Sequence, residues 1–331
     1  MTTTRRLRWG VLGYARIARL SVIPAIPKTS NAEFYALASR DRAKLDQCRA
    51  AGAPARLFES YDELVRDPNV EAIYIPLPNS LHREWTLKAA AHGKHVLCEK
   101  PMGLTAAEAR EMAAACQAHG VLLMEAFMYR YTPRTRKVVE ILRSGVLGEI
   151  KQVNAFFRFR LTRPGDVRLL PDLGGGSLYD VGCYPVNFVG LVVDTLAGGA
   201  PGAGGQPERI AVDCVCEGGV DLNFAALLHY RSGLMATIQS GFSAHRQIYA
   251  EIIGTEGTLQ VPDAFLGEGL PLRLLLGDSS EDIPIPACDR YQLELEDFSA
   301  AVLERRQPAF TLVETLRNAE LLDRLLAASR A

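Results

Sequence analysis

The chain has 331 residues, with 37 Lys+Arg against 38 Asp+Glu and a formal net charge of −1. At about 150 residues per domain this is two domains or one large one, enough to bury a core without staples. The near-neutral balance argues against nucleic-acid or membrane-surface partners, and no uninterrupted apolar stretch approaches the roughly 20 residues that span a bilayer.

Met1 to Arg8 is polar and basic with no apolar core behind it, so no leader segment is expected. The seven cysteines (Cys48, Cys98, Cys116, Cys183, Cys214, Cys216 and Cys288) form no CxxC pair. Spread through apolar segments, they read as reduced thiols of a cytoplasmic protein. The six histidines do not cluster at ligand spacing, so no metal is expected.

Up to residue 125, short apolar runs alternate with amphipathic ones. Strands are predicted at Arg8–Leu12, Phe34–Ala38, Ala72–Ile75, His95–Cys98 and Val121–Met124. Helices are predicted at Arg42–Ala51, Ser80–His92 and Ala106–His119, the last opened by Thr105 with Glu108 at capping-box spacing. This rhythm predicts a doubly wound parallel sheet with right-handed crossovers. A helix at Pro133–Ser144 follows. Longer alternating runs come next, at Lys151–Leu161, Arg209–Cys216, Val220–Arg231, Leu234–Gly241 and Gln247–Ile253. Several are joined by glycine turns, which makes them antiparallel strands. Leu196–Pro207, rich in Gly, Ala and Pro, reads as a flexible surface loop. Helices at 291–305 and 313–329 close the chain. The layout is a dinucleotide-binding domain over residues 1–127 and an α+β domain over 128–331, with a large, mostly antiparallel, open-faced sheet.

Between the first strand and first helix lies Gly13-Tyr14-Ala15-Arg16-Ile17-Ala18. The dinucleotide fingerprint asks for Gly-x-Gly-x-x-Gly, and Gly13, Ala15 and Ala18 fill its slots. Gly13 supplies the tight turn, Ala15 lets the backbone near a pyrophosphate, and Ala18 lets helix and strand pack closely. The second strand ends at Ala38-Ser39-Arg40, with no acid at its tip to hold two ribose hydroxyls. Ser39 and Arg40, with Lys44 a turn later, suit a 2′-phosphate, which favours NADP(H). Arg40 also reads as a solvated surface arginine. Asp41 reads as the cap of the next helix.

His95-Val96-Leu97-Cys98-Glu99-Lys100-Pro101 places a charged pair at the carboxyl end of a buried parallel strand, where open α/β sheets bind ligands. A lysine there can hold a substrate oxygen and favour a neighbouring group's deprotonated form. Gly13-x-Ala15-x-Ile17-Ala18, Pro78-Asn79-Ser80-Leu81-His82, Glu99-Lys100-Pro101 and Gly174-Gly175-Gly176-Ser177-Leu178-Tyr179-Asp180-Val181-Gly182-Cys183-Tyr184-Pro185-Val186-Asn187 occur in this order. Together they resemble the glucose–fructose oxidoreductase/inositol dehydrogenase (Gfo/Idh/MocA) family along nearly the whole chain.

That resemblance implies a Rossmann domain, a second domain whose open sheet serves homodimer or homotetramer contacts, and hydride transfer between nicotinamide and a sugar or cyclic polyol. It makes Lys100 the catalytic lysine. Many members carry Asp-x-Gly-x-x-His-x-x-Asp in the second domain. This chain keeps Asp180 and Gly182 but has Tyr184 in the histidine slot and Asn187 in the last. Tyrosine there is similar to the glucose–fructose oxidoreductase, NADP-dependent xylose dehydrogenase, dihydrodiol dehydrogenase and sugar 3-ketoreductase branches. In this reading Tyr184 gives or takes the hydroxyl proton, Lys100 holds the same oxygen, and Asp180, at i−4, orients one of them.

Softer expectations surround this core. Tyr61, Leu77, Pro78, Asn79, His82 and Glu99 are expected on the cofactor, as are Met128 and Arg130. Tyr61 also reads as a core aromatic, His82 as part of a helix's first turn, and Arg130 as a structural pair. Arg158, Arg160, Arg163 and Arg168 suit an anionic or nucleotide-linked substrate, though solvated strand faces explain them equally. Tyr291 is a further candidate for the substrate. A non-catalytic NADP sensor would need the glycine turn but not Lys100 with Tyr184.

Overall fold

The computed structural model describes residues 5–52, 54–163 and 165–330. The N-terminal reading over Met1 to Thr4 lies outside the described residues. The chain divides into two compact units, Met1–Met128 with Asp289–Leu312, and Tyr129–Cys288 with Val313–Ala331.

In the first unit six strands form a parallel sheet: β1 (Leu7–Leu12), β2 (Ala32–Ala38), β3 (Arg56–Phe58), β4 (Ala72–Ile75), β5 (His95–Glu99) and β6 (Leu123–Ala126). Their order is β3-β2-β1-β4-β5-β6, the doubly wound order of a dinucleotide-binding sheet. The all-apolar β4, Ala-Ile-Tyr-Ile, is buried along its length, as a sheet covered on both faces requires. The crossovers are α1 (residues 16–28), α2 (Arg42–Ala50), α3 (Tyr61–Arg66), α4 (His82–Ala91) and α5 (Ala106–Ala118). Asp41 caps α2 by accepting from the Ala43 amide at 3.0 Å. Thr105 caps α5 by accepting from Glu108 N at 3.1 Å, while Glu108 accepts from Leu104 N at 2.8 Å.

The helix α8 (Arg290–Glu304) packs on this same unit. Sequence periodicity had placed it in the second domain. Trp9, on β1, explains the difference: its indole donates to Ser299 at 3.1 Å and its ring meets Phe298 at 5.3 Å. Trp9 has no exposed surface, and truncating so buried an aromatic costs about 3–5 kcal/mol.

The second unit is built on eight strands: β7 (Ile150–Arg158), β8 (Arg209–Glu217), β9 (Val220–His229), β10 (Met235–Gly241), β11 (Gln247–Gly254), β12 (Gly257–Pro262), β13 (Leu272–Leu276) and β14 (Ser279–Ile283). Their order is β14-β13-β12-β11-β7-β10-β9-β8. Only β7 and β10 run parallel. Alternation gives the sheet two faces. Val153, Ala155, Phe157, Ile238 and Ile252 are buried; Asn154, Phe156, Gln239 and Tyr249 face the open side. The helices are α6 (Pro133–Ser144), α7 (Cys183–Leu196) and α9 (Leu312–Ala328). The glycine-rich stretch expected to be a flexible loop is tied down in its second half. Asp194 accepts from the amides of Gly202 at 3.0 Å and Gly204 at 2.8 Å.

Among the described residues no helix is long and apolar enough to cross a membrane. Among them also, no group of three or more His, Cys, Asp or Glu could hold a metal ion.

Candidate active site

In the first unit the expected residues gather where the parallel strands end. Gly13 follows β1 at φ +93°, a region that favours glycine. Its amide donates to Ala38 O at 2.7 Å, joining the ends of β1 and β2. A Cβ at Gly13 would lie 3.2 Å from Leu77 and 3.3 Å from the Tyr61 hydroxyl. Gly13, Tyr61 and Leu77 therefore meet at one point, and the missing Cβ keeps it open. Behind it α1 starts at Arg16 and passes through a π-turn, Ala18–Val22. Ala15, just before it, has no side-chain acceptor to claim the first amides. Tyr14 is buried, Ala15 and Ile17 are half-buried, and Arg16 is exposed.

Ser39 is buried and accepts from Asp41 N at 3.2 Å. Arg40 is exposed, its guanidinium 5.2 Å from the Tyr61 ring centroid, a cation–π contact. No hydrogen bond or ion pair occupies that guanidinium among the described residues. Lys44 is exposed on α2.

His82 opens α4, as the alternative reading had it. It is fully buried, with one ring nitrogen 2.9 Å from Pro101 O and the other 2.9 Å from Leu77 O. It ties together the loops that carry Leu77 and Lys100. Burial pushes its pKa down, against the pull of those two carbonyls. Pro78 and Asn79 are half-buried in the turn between them.

Glu99 accepts from the Tyr74 hydroxyl at 2.6 Å and from the Lys100 amide at 3.3 Å. Burial pushes the Tyr74 phenol well up, and Glu99 adds to it. Glu294, on α8, is 1% exposed, and its Oε1 has no hydrogen-bond partner. Burial, then the nearby Glu99, raises its pKa well above the usual carboxylate range. Tyr291 is buried beside this group in the first unit, where burial raises its phenol. Met128 is buried just after β6.

In the second unit Tyr184 is 5% exposed, its ring 5.4 Å from both Phe157 and Phe265. The helix reaches it through a second π-turn, Leu178–Gly182. Asp180 accepts from Arg168 Nε at 2.5 Å, and Arg168 also reaches Asp166 at 3.2 Å. Those carboxylates, opposing the cost of burial, raise the Arg168 pKa. Arg168 is thus a structural partner of Asp180. Gly176, at φ +113°, packs so closely that a Cβ would overlap Asp221 Oδ1. Asp221 accepts from Ser177 Oγ at 2.6 Å and Leu178 N at 2.7 Å, so the triple glycine is a packed helix start.

Arg130 donates to Glu314 at 2.6 Å and Asn187 at 3.2 Å, which gives the structural alternative its support. The Tyr129 hydroxyl donates to the same Asn187 oxygen at 2.5 Å. Arg158 lies on the open face, donating to Gln239 at 3.0 Å and to Gln247. Alternation along β7 puts it opposite Phe157, and hence opposite Tyr184. Arg160 is exposed beside Phe159, and Arg163 pairs with Asp166 at 3.7 Å.

Sequence reasoning missed Tyr74, Glu294, Tyr129 and Asp221. Tyr74 had a signal: a hydroxyl inside an otherwise aliphatic strand needs a buried partner. Glu294 sits in an ordinary amphipathic run and had none.

A family profile described as "Oxidoreductase family, NAD-binding Rossmann fold" matches residues 7–127, and the "GFO/IDH/MocA C-terminal domain" matches residues 135–260. The D-xylose 1-dehydrogenase (NADP(+)) 2 of Haloferax volcanii is 35% identical over 96% of this chain and 95% of its own. The chain belongs to the Gfo/Idh/MocA oxidoreductase family. Among solved structures of the family, KijD10, a 3-ketoreductase from Actinomadura kijaniata in complex with NADP and TDP-benzene, has a TM-score of 0.89 at 31% identity. The match covers 98% of each chain. The aldose-aldose oxidoreductase from Caulobacter crescentus has a TM-score of 0.88 at 28% identity, again over 98% of each chain.

Proposed function

We propose that this Gfo/Idh/MocA protein is an NADP(H)-dependent oxidoreductase acting on a sugar or sugar-like alcohol, foremost an aldose of the D-xylose or D-glucose type. Either a dehydrogenase or a sugar-to-sugar oxidoreductase fits. The observation that carries the cofactor is the open point at Gly13, walled by Tyr61 and Leu77, with Arg40 stacked beside it. The uncapped start of α1 takes the pyrophosphate, while Ser39, Arg40 and Lys44 take the 2′-phosphate. Tyr14 to Ile17, Leu77 to Asn79, Glu99 and Met128 complete the cofactor side in this reading, over residues 1–127 with α8 added.

Bound nicotinamide supplies or accepts the hydride. Lys100 Nζ holds the reacting oxygen and stabilises negative charge on it. Tyr184 Oη takes the proton in oxidation and returns it in reduction. A phenol titrates near 10, so a cation on the same oxygen brings it toward usefulness. Asp180, held by Arg168, orients this group. Purified protein with NADP+ and a panel of aldoses tests the reading. Multiple turnovers of NADPH identify a dehydrogenase. A single burst matching the enzyme points to retained cofactor and transfer between sugars. No reduction with any aldose, and none of NADPH oxidation with keto substrates, overturns the proposal in favour of an NADP sensor.

One observation favours a second reading, reduction of a nucleotide-linked ketosugar. An open pocket of about 760 Å³ in the second unit is lined by Phe159, Arg160, Ser243, His245 and Arg246. Arg246 is paired with Asp263 at 2.8 Å, so Arg160, with His245 and the aromatic wall, is what suits an anionic substituent. The free cysteines fit a cytoplasmic protein. Leu227 and Met235, exposed on the open sheet face, fit burial in a homodimer or homotetramer.

A further inference from the structure

Cys214 and Cys216 stand two residues apart on β8, the terminal strand of the eight-stranded sheet. Strand alternation sends both side chains to the same face. Their sulfurs are 3.5 Å apart, and Cys214 Sγ also points at Ser329 O, 3.9 Å away. Cys216 is exposed and Cys214 half-buried, whereas Cys48, Cys98, Cys116 and Cys183 are buried. The pair faces away from the open side that carries Leu227 and Met235.

We propose that Cys214 and Cys216 form a chelating dithiol site for a trivalent arsenical or a comparably soft three-coordinate centre. With bonds near the 2.3 Å of metal thiolates, one atom touching both sulfurs at their present spacing subtends about 100°. Pyramidal trivalent arsenic takes such an angle. A linear two-coordinate ion would need the sulfurs about 4.6 Å apart on the same bond length. A direct disulfide fits less well. Strand residues two apart have Cα atoms about 6.4–6.8 Å apart, at the far limit of disulfide geometry. Burial, then the bond to Cys216, pushes the Cys214 thiol up, which keeps that thiol slow to oxidise.

With phenylarsine oxide the chemistry balances without an oxidant. Two S–H bonds break, two As–S bonds form, and the oxide oxygen leaves as water with both protons. Arsenic stays trivalent throughout.

The native full-length protein, loaded with phenylarsine oxide and washed with excess 2-mercaptoethanol, tests the site by intact mass and peptide mapping. One arsenical per chain, less one water, is expected on the fragment holding both cysteines, and a dithiol should release it. Either Cys214→Ser or Cys216→Ser should lower retention at least about tenfold, because a single thiol loses the chelate advantage. An adduct that washes off the wild type, survives Cys214→Ser, or maps to Cys288 overturns the proposal. Should a serine variant fail to fold, thiol counting on the wild type decides. Loading must remove two thiols together, and loss of one or none rejects the site.

Discussion

Two helices in this protein start in the same way and end up with opposite properties. Each follows a glycine with a left-handed backbone, Gly13 or Gly176, and each passes through a π-turn. At α1 the residue before the first turn is Ala15, which has no side-chain acceptor, and the glycine's empty side borders only the ends of Leu77 and Tyr61. Before α7 the protein supplies its own anion: Asp221 takes the Ser177 hydroxyl and the Leu178 amide. One helix start has donors no side chain claims, and the other is closed by an internal carboxylate. A glycine-rich helix start is therefore a ligand site only if the fold leaves its donors unclaimed.

The largest expected effects fall on the chemistry that the open start would serve. Lys100→Met and Tyr184→Phe should each lower kcat by about 10²–10⁴ while leaving NADPH binding, followed by fluorescence, within a few-fold. Unchanged turnover in either would remove that residue from the mechanism. The glycines themselves should separate the two starts. Gly13→Val should abolish NADPH binding, with the second unit intact by limited proteolysis. Gly176→Ala should destabilise the second unit by on the order of 2–3 kcal/mol, through left-handed strain and overpacking. Calorimetry reads that loss, and equal effects of both variants on binding would erase the contrast. Arg40→Ala should weaken NADP by about tenfold, the loss of one charge-assisted contact of roughly 1.4 kcal/mol. NAD binding should stay unchanged, and parallel loss of both would return Arg40 to a solvated surface residue.

The smallest effect concerns Glu294. Its carboxyl is raised in the folded state by burial and then by Glu99. A raised acid contributes stability below its unfolded pKa and loses that contribution as pH rises through the folded value. Wild-type thermal stability should therefore fall as pH rises above the ordinary carboxylate range, and Glu294→Gln should flatten that fall. Superimposable pH profiles would place the charge elsewhere.

The first unit was largely legible. Apolar runs named Ala72–Ile75 and nearly all of β1, β2 and β5, and capping residues named the starts of α2 and α5. The glycine turn and the Lys100 loop were readable because strand ends and helix starts impose local rules. The short β3 and the strands β12, β13 and β14 beyond β11 were not read, since three to six residues carry little periodicity. The second unit's arginines were harder to sort from sequence. Arg158 meets Gln239 across the sheet, 81 residues away, whereas Arg168 meets Asp166 and Asp180, two and twelve residues away. The pairing of Glu294 with Glu99 spans the chain in the same way.

The contact between Trp9 and Ser299 spans 290 residues. At about 5–20 residues per second, a ribosome finishes β1 tens of seconds before it delivers α8. Through that interval the nascent first sheet carries an uncovered tryptophan, and the domain begun first is among the last to be completed. A chain stopped near residue 288 would strand that sheet without its cover, as an aggregation-prone intermediate.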